Sequence, residues 1–120
     1  MKLPRNEEAQ VSDKKIRDYL LSEAHPVGKG KARYFRALGY SEKNIVQLRD
    51  ALAAMANTSE VTAVVNTLYG TKYVAEGDLV TPSGIGARIC TVWIVETEEN
   101  TPRFVTAYPT HKEDIGVESD

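Results

Sequence analysis

Apolar residues recur at three- and four-residue steps through the first half of the chain and at alternate positions through the second, with the period changing near Asn57. Ser12 stands where an N-cap belongs, ahead of a helix expected over Asp13–Leu21 with Ile16, Tyr19 and Leu20 on its apolar face. His25-Pro26 blocks continuation, because proline has no N–H to donate, and Gly28 and Gly30 permit an open loop. A second helix is predicted over Lys31–Leu38, with Ala32, Phe35 and Leu38 inward and Gly39 closing it. Ser41 caps a third, in which Ile45, Leu48, Leu52 and Met55 form an apolar stripe.

Beyond Asn57 the pattern is that of strands. Val61, Ala63 and Val65 alternate with other residues, and Tyr69-Gly70 reads as a turn. Thr71–Leu79, Ala87–Glu96 and Arg103–Tyr108 follow as strands, separated by Pro82-Ser83-Gly84 and by Glu98-Glu99-Asn100-Thr101-Pro102. Connections this short imply hairpins. The expected fold is α+β, with three N-terminal helices packed on one face of a four-stranded antiparallel sheet. Residues 1–109 would form a single domain and residues 110–120 a flexible acidic tail. Strict alternation assigns Cys90, Val92, Ile94, Val105 and Ala107 to the helix-facing side. Thr91, Trp93, Thr106 and Tyr108 are then left together on an open face.

Composition narrows the classes without naming one. A chain of 120 residues, 42% hydrophobic and 27% charged, is one ordinary globular domain, able to bury roughly two-thirds of its unfolded surface. A lone cysteine, Cys90, excludes an internal disulfide and, with no C-x-x-C pair, favours a reducing compartment. No apolar run approaches the ~20 residues of a membrane span, and Met1–Glu8 lacks the apolar stretch of a secretory signal. A cytoplasmic location is the expectation.

Charge changes the picture more. Residues 1–56 carry 11 Lys/Arg against 7 Asp/Glu, and residues 57–120 carry 4 against 10, so a net charge of −2 conceals a basic half and an acidic half. Lys29, Lys31, Arg33 and Arg36 fall within one stretch that holds no acid. Such a patch attracts phosphate, although it also fits a solvated helix face. His25, beside these cations, would favour its neutral form and could act as a base. Thr91, Trp93, Thr106 and Tyr108 would suit a base and its ribose phosphate, while the same residues also simply favour strands. The spacing of a P-loop, an H-E-x-x-H pair and a G-x-S-x-G elbow are all missing. No cofactor or metal is therefore expected. Histidine, cations and hydroxyls match RNA transesterification, in which a base takes the 2′-OH proton and cations stabilise the phosphorane.

The strings Lys15-x-x-Asp18-Tyr19-Leu20-Leu21, His25-Pro26-x-Gly28, Lys31-Ala32-Arg33-x-Phe35 and Leu38-Gly39-Tyr40 resemble an uncharacterised bacterial domain family. So do Tyr69-Gly70-Thr71-Lys72-Tyr73, Thr91-Val92-Trp93-Ile94 and Arg103-Phe104-Val105-Thr106-Ala107-Tyr108-Pro109. The resemblance runs from Leu3 to Pro109 and implies a toxin-type domain. More distantly, the chain is similar to the barnase–EndoU–RelE group of metal-independent ribonucleases. That similarity implies catalytic roles for His25, Lys31, Thr106 and Tyr108. Lys29, Arg33, Thr91, Trp93 and Arg103 would bind substrate. The expectation is an endoribonuclease toxin, with RNA as substrate and a cognate antitoxin or immunity protein as partner. A non-catalytic RNA- or protein-binding module and an antitoxin- or immunity-type interaction protein are the alternatives.

Overall fold

A computed structural model describes residues 1–22, 29–84 and 86–110 of the chain. Helix α1 (Asp13–Lys15) opens under Ser12, whose Oγ accepts from the Lys15 amide at 3.0 Å. It then widens into a π-helical stretch, Ile16–Leu20, closed by the Leu21 amide donating to the Ile16 carbonyl at 2.9 Å. The widened turn leaves Ile16 and Leu20 fully buried and Tyr19 half-buried beside them. Helix α2 (Lys29–Ala37) begins two residues before the predicted start. It ends at Gly39, where a φ of +106° lets the Tyr40 amide reach back to the Phe35 carbonyl at 3.2 Å. Ser41 and Asn44 form a reciprocal cap over the 3-10 turn Glu42–Asn44, which leads into α3 (Ile45–Thr58). Leu48, Leu52 and Met55 of the predicted stripe are buried there, joined by Ala56, while Ile45 is half-buried.

Strands β1 (Glu60–Thr67), β2 (Gly70–Leu79), β3 (Ala87–Glu96) and β4 (Arg103–Pro109) form one antiparallel sheet in the order β1-β2-β3-β4. Among the described residues the architecture is α+β, with three helices and this sheet. Leu48, Leu52 and Met55 share one core with Leu79, Ile89, Trp93, Phe104 and Ala107. β1 and β4 are the sheet edges, and Gln10 adds a short parallel bridge to Arg103 alongside β4.

The expected assignment of sheet faces is corrected by two features. On β3 it is Ile89, Thr91 and Trp93 that are wholly buried. Both faces of this strand are apolar, so polarity does not choose between them. Trp93 has the larger volume to bury, and its indole Nε1 donates to Thr91 Oγ1 at 2.8 Å, so the polar atom goes in satisfied. Thr91 in turn donates to the Ala75 carbonyl at 3.3 Å. On β4 the register slips: Val92 faces Thr106, but Trp93 faces Phe104, so Val105 is an extra residue. The bulge puts Phe104 and Ala107, three apart, both into the core. Thr106 and Tyr108 stay opposite Val92 and Cys90. The four-residue open face of Thr91, Trp93, Thr106 and Tyr108 is thus split in two. Thr110, assigned to the tail, is buried, with its amide on the Arg88 carbonyl at 3.4 Å.

The β1–β2 hairpin depends on Gly70, whose φ is +149° and whose missing Cβ would lie 2.3 Å from the Val95 carbonyl oxygen. Gly30, inside α2, has among the described residues no atom beyond its chain neighbours and its own helix backbone within 4 Å of the place a methyl would take. Gly70→Ala is expected to cost about 2–3 kcal/mol, and Gly30→Ala to add about 0.5–1 kcal/mol. Urea denaturation of the two variants against the parent chain checks both signs.

Candidate functional site

Three elements converge at the β4 edge. Tyr19 comes from the π-helical stretch, Lys31 from the first turns of α2, and Thr106 from the residue after the bulge. Lys31 Nζ donates to Thr106 Oγ1 at 3.0 Å and to Tyr19 Oη at 3.1 Å, and the two hydroxyls stand 3.4 Å apart. An ammonium held between two hydroxyl oxygens has a third N–H left to donate. The same Nζ lies 5.5 Å from the centre of the Tyr19 ring and 5.9 Å from that of Tyr108. Lys15 also lies against this cluster, 5.0 Å from the Tyr19 ring. The site is thus a cation framed by two phenols and a threonine (a set that can bind an oxyanion and move a proton).

The two phenols are driven apart in acidity. Burial alone would raise the Tyr19 pKa. The hydrogen bonds from Thr106 and Lys31, with the charges of Lys31 and Lys15, outweigh it and bring the phenol below its ordinary value. Tyr108 moves the other way: burial raises it, and the neighbouring Cys90 and Glu76 raise it further. Cys90 itself is held up by burial and by Glu76, its hydrogen-bond acceptor at 3.9 Å. A thiol so placed stays protonated.

Of the residues singled out in the sequence, Lys31, Thr106 and Tyr108 come together here. Arg33 is exposed on α2. Arg103 lies at the far end of β4, paired with Glu96 at 2.5 Å. Thr91 and Trp93 are not among them: the structure places both in the core with no exposed surface, not on the open face expected for them. His25 and the side chain of Lys29 lie outside the described residues. Tyr19 was missed, because at helical spacing with Ile16 and Leu20 it reads as one more apolar-face residue. Its four-residue separation from Lys15 was the available signal. Among the described residues, no three His, Cys, Asp or Glu side chains cluster as metal ligands would, and no helix is long and apolar enough to cross a membrane.

A family model described as a domain of unknown function, DUF6883, matches residues 2–111, and these include every residue of the cluster. The chain belongs to the DUF6883 family. No curated protein matches. Among solved structures, one chain of a contact-dependent growth inhibition toxin–immunity protein complex from Klebsiella pneumoniae 342 is similar. The two share 20% identity and a TM-score of 0.68, over 88% of this chain and 97% of that one. At that identity the likeness is one of fold.

Replacing Lys31 by Met takes away the charge and both hydrogen bonds while leaving burial in place. The Tyr19 phenol is then expected to titrate at higher pH than in the parent. In the parent it loses its proton before Tyr108 as pH rises. Carbon-detected NMR titration of labelled tyrosines, resolving Tyr19 from Tyr108, measures both the order and the displacement.

Proposed function

We propose that this chain is the toxin half of a toxin–immunity (or toxin–antitoxin) pair, acting in the cytoplasm as a metal-independent endoribonuclease. The observation that carries the proposal is the Tyr19–Lys31–Thr106 cluster, where a cation with a free N–H meets a phenol of lowered pKa. RNA supplies its own nucleophile, so the protein has only to move protons and stabilise charge. A base, the role proposed for His25, removes the 2′-OH proton. The 2′-oxygen then attacks the adjacent phosphorus, and the P–O5′ bond breaks to leave a 2′,3′-cyclic phosphate. Lys31 stabilises the charge that builds on the phosphorane. Tyr19, a stronger acid than an ordinary phenol, donates its proton to the departing 5′-oxygen. Thr106 fixes Lys31, and Tyr108, kept protonated, offers its hydroxyl to the phosphate.

The fold shared with a chain of a growth-inhibition toxin–immunity complex supports a toxin- or immunity-type role with a protein partner. A second observation bears on that partner. Val64, Val65, Leu68 and Tyr69, on β1 and its hairpin, are exposed, the last two at 92% and 76%. Large apolar side chains left in water at a hairpin tip, Leu68 and Tyr69 above all, offer a partner something to cover. It also suits the second reading, an immunity-type or non-catalytic binding module.

Kinetics separate the two. Lys31→Ala and Tyr19→Phe are each expected to slow cleavage of single-stranded RNA by about 10²–10⁴-fold, with cleavage by the parent undiminished in EDTA. RNA bound with affinity but returned intact by the parent protein would exclude the nuclease and leave the binding module. His25→Ala with unchanged cleavage would remove that residue from the base role.

A further inference from the structure

A groove of about 290 Å³ lies along the Arg103 end of β4. Ile94, Phe104 and Val105 give it an apolar floor, and Gln10, Ser12 and Arg103 a polar rim. Lys15 belongs both to this groove and to a shallow depression shared with Tyr19. The groove therefore runs up to the Tyr19–Lys31–Thr106 cluster, with Lys15 at the junction and Val105 and Thr106 adjacent on the strand. Arg103 pairs with Ile94 and Thr106 with Val92, so across the bulge they stand two ladder positions, about 7 Å, apart along the sheet.

The chemistry along this line is ordered. Arg103 is neutralised by Glu96, whereas Lys15 pairs with no carboxylate among the described residues. Of the groove's two cations, the uncompensated one thus stands next to the cluster, where a phosphate linking two nucleotides would pass. Gln10 is fastened at its backbone, its amide donating to the Pro102 carbonyl at 3.0 Å and its carbonyl accepting from Phe104 at 2.9 Å. Its side-chain amide has no hydrogen-bond partner among the described residues, and it offers a donor and an acceptor on a fixed mount. An apolar floor with a donor–acceptor pair at its rim suits the face and edge of an unpaired base. The volume stands at the lower edge of the range of small-ligand pockets, room enough for one planar group.

Resting on the nuclease reading above, we propose that this groove is a base-binding subsite for a nucleotide one phosphate removed from the scissile linkage of single-stranded RNA, with Lys15 on the intervening phosphate and Gln10 reading the base edge. The cluster then acts on a substrate longer than one nucleotide, and the groove is the position at which sequence is selected.

Binding of 2′-O-methyl RNA tetranucleotides, which lack the nucleophile, tests it beside a nucleoside 3′-monophosphate as the short probe. Val105→Trp fills the groove and is expected to weaken tetranucleotide binding about tenfold, the effect of losing one stacked base. Gln10→Ala is expected to weaken it about threefold and to flatten preference among the four homopolymers. Neither change should alter affinity for the monophosphate. In the parent, the amide resonances of Ile94 and Val105 should shift on adding the tetranucleotide and stay in place on adding the monophosphate. If Val105→Trp fails to fold, Gln10→Ala and the parent shifts decide. Tetranucleotide binding that Lys31→Ala weakens but both groove variants leave unchanged would overturn the subsite and spare the nuclease reading. A parent chain that neither binds nor cleaves any RNA would overturn both.

Discussion

One inserted residue organises this molecule. Without Val105 as a bulge, β4 would alternate regularly, and Phe104 and Ala107 could not both enter the core. With it, the strand delivers two apolar side chains inward, then turns Thr106 to the edge where Lys31 meets it. A bulge bends its strand and re-aims the side chains beyond it. Here that local irregularity joins the packing of the sheet to the placement of its chemistry. The π-helical stretch contributes on the facing element, burying Ile16 and Leu20 while Tyr19 beside them stays half-buried with its hydroxyl on Lys31. Two departures from regular geometry meet at one ammonium group.

The buried Trp93–Thr91 pair shows how the core tolerates polarity beneath that site. A tryptophan with no exposed surface must hand its N–H to something, and the threonine two residues before it on the same face is in reach. Thr91 passes the obligation on to the Ala75 carbonyl in the neighbouring strand. Two strands are tied through one short chain of hydrogen bonds, each donor answered by an acceptor. Phe104 packs edge-on against the indole, with ring centres 5.5 Å apart, so the bulged strand is held to the same anchor.

Much of the fold was legible in the sequence because its signals are local. Ser12, Ser41 and Gly39 are chosen by hydrogen bonds and backbone angles within a few residues, and the α3 stripe and the bounds of β3 follow from periodicity. The faces of the sheet were not legible. Alternation assumes an unbroken count, and nothing in Arg103–Pro109 marks Val105 as extra, because the slip is defined only against a partner strand. Lys31 and Thr106 could be chosen by type but not brought together without that slip. Tyr19 was hidden for a different reason: an aromatic ring satisfies a helical apolar pattern whatever its hydroxyl does. Thr91 and Trp93 were read as surface residues because their polar atoms look available until each is found bonded to the other.

The wide turn at Ile16–Leu20 has a wider consequence. Its looser hydrogen-bond pattern is uncommon and is retained where surrounding contacts hold it. Here the contacts are the sealed side chains of Ile16 and Leu20. The proton affinity of the phenol between them is thereby tied to how tightly the interior closes. Slackening of that interior would change one tyrosine's ionisation along with its packing, so that this side chain doubles as an internal gauge of its own scaffold.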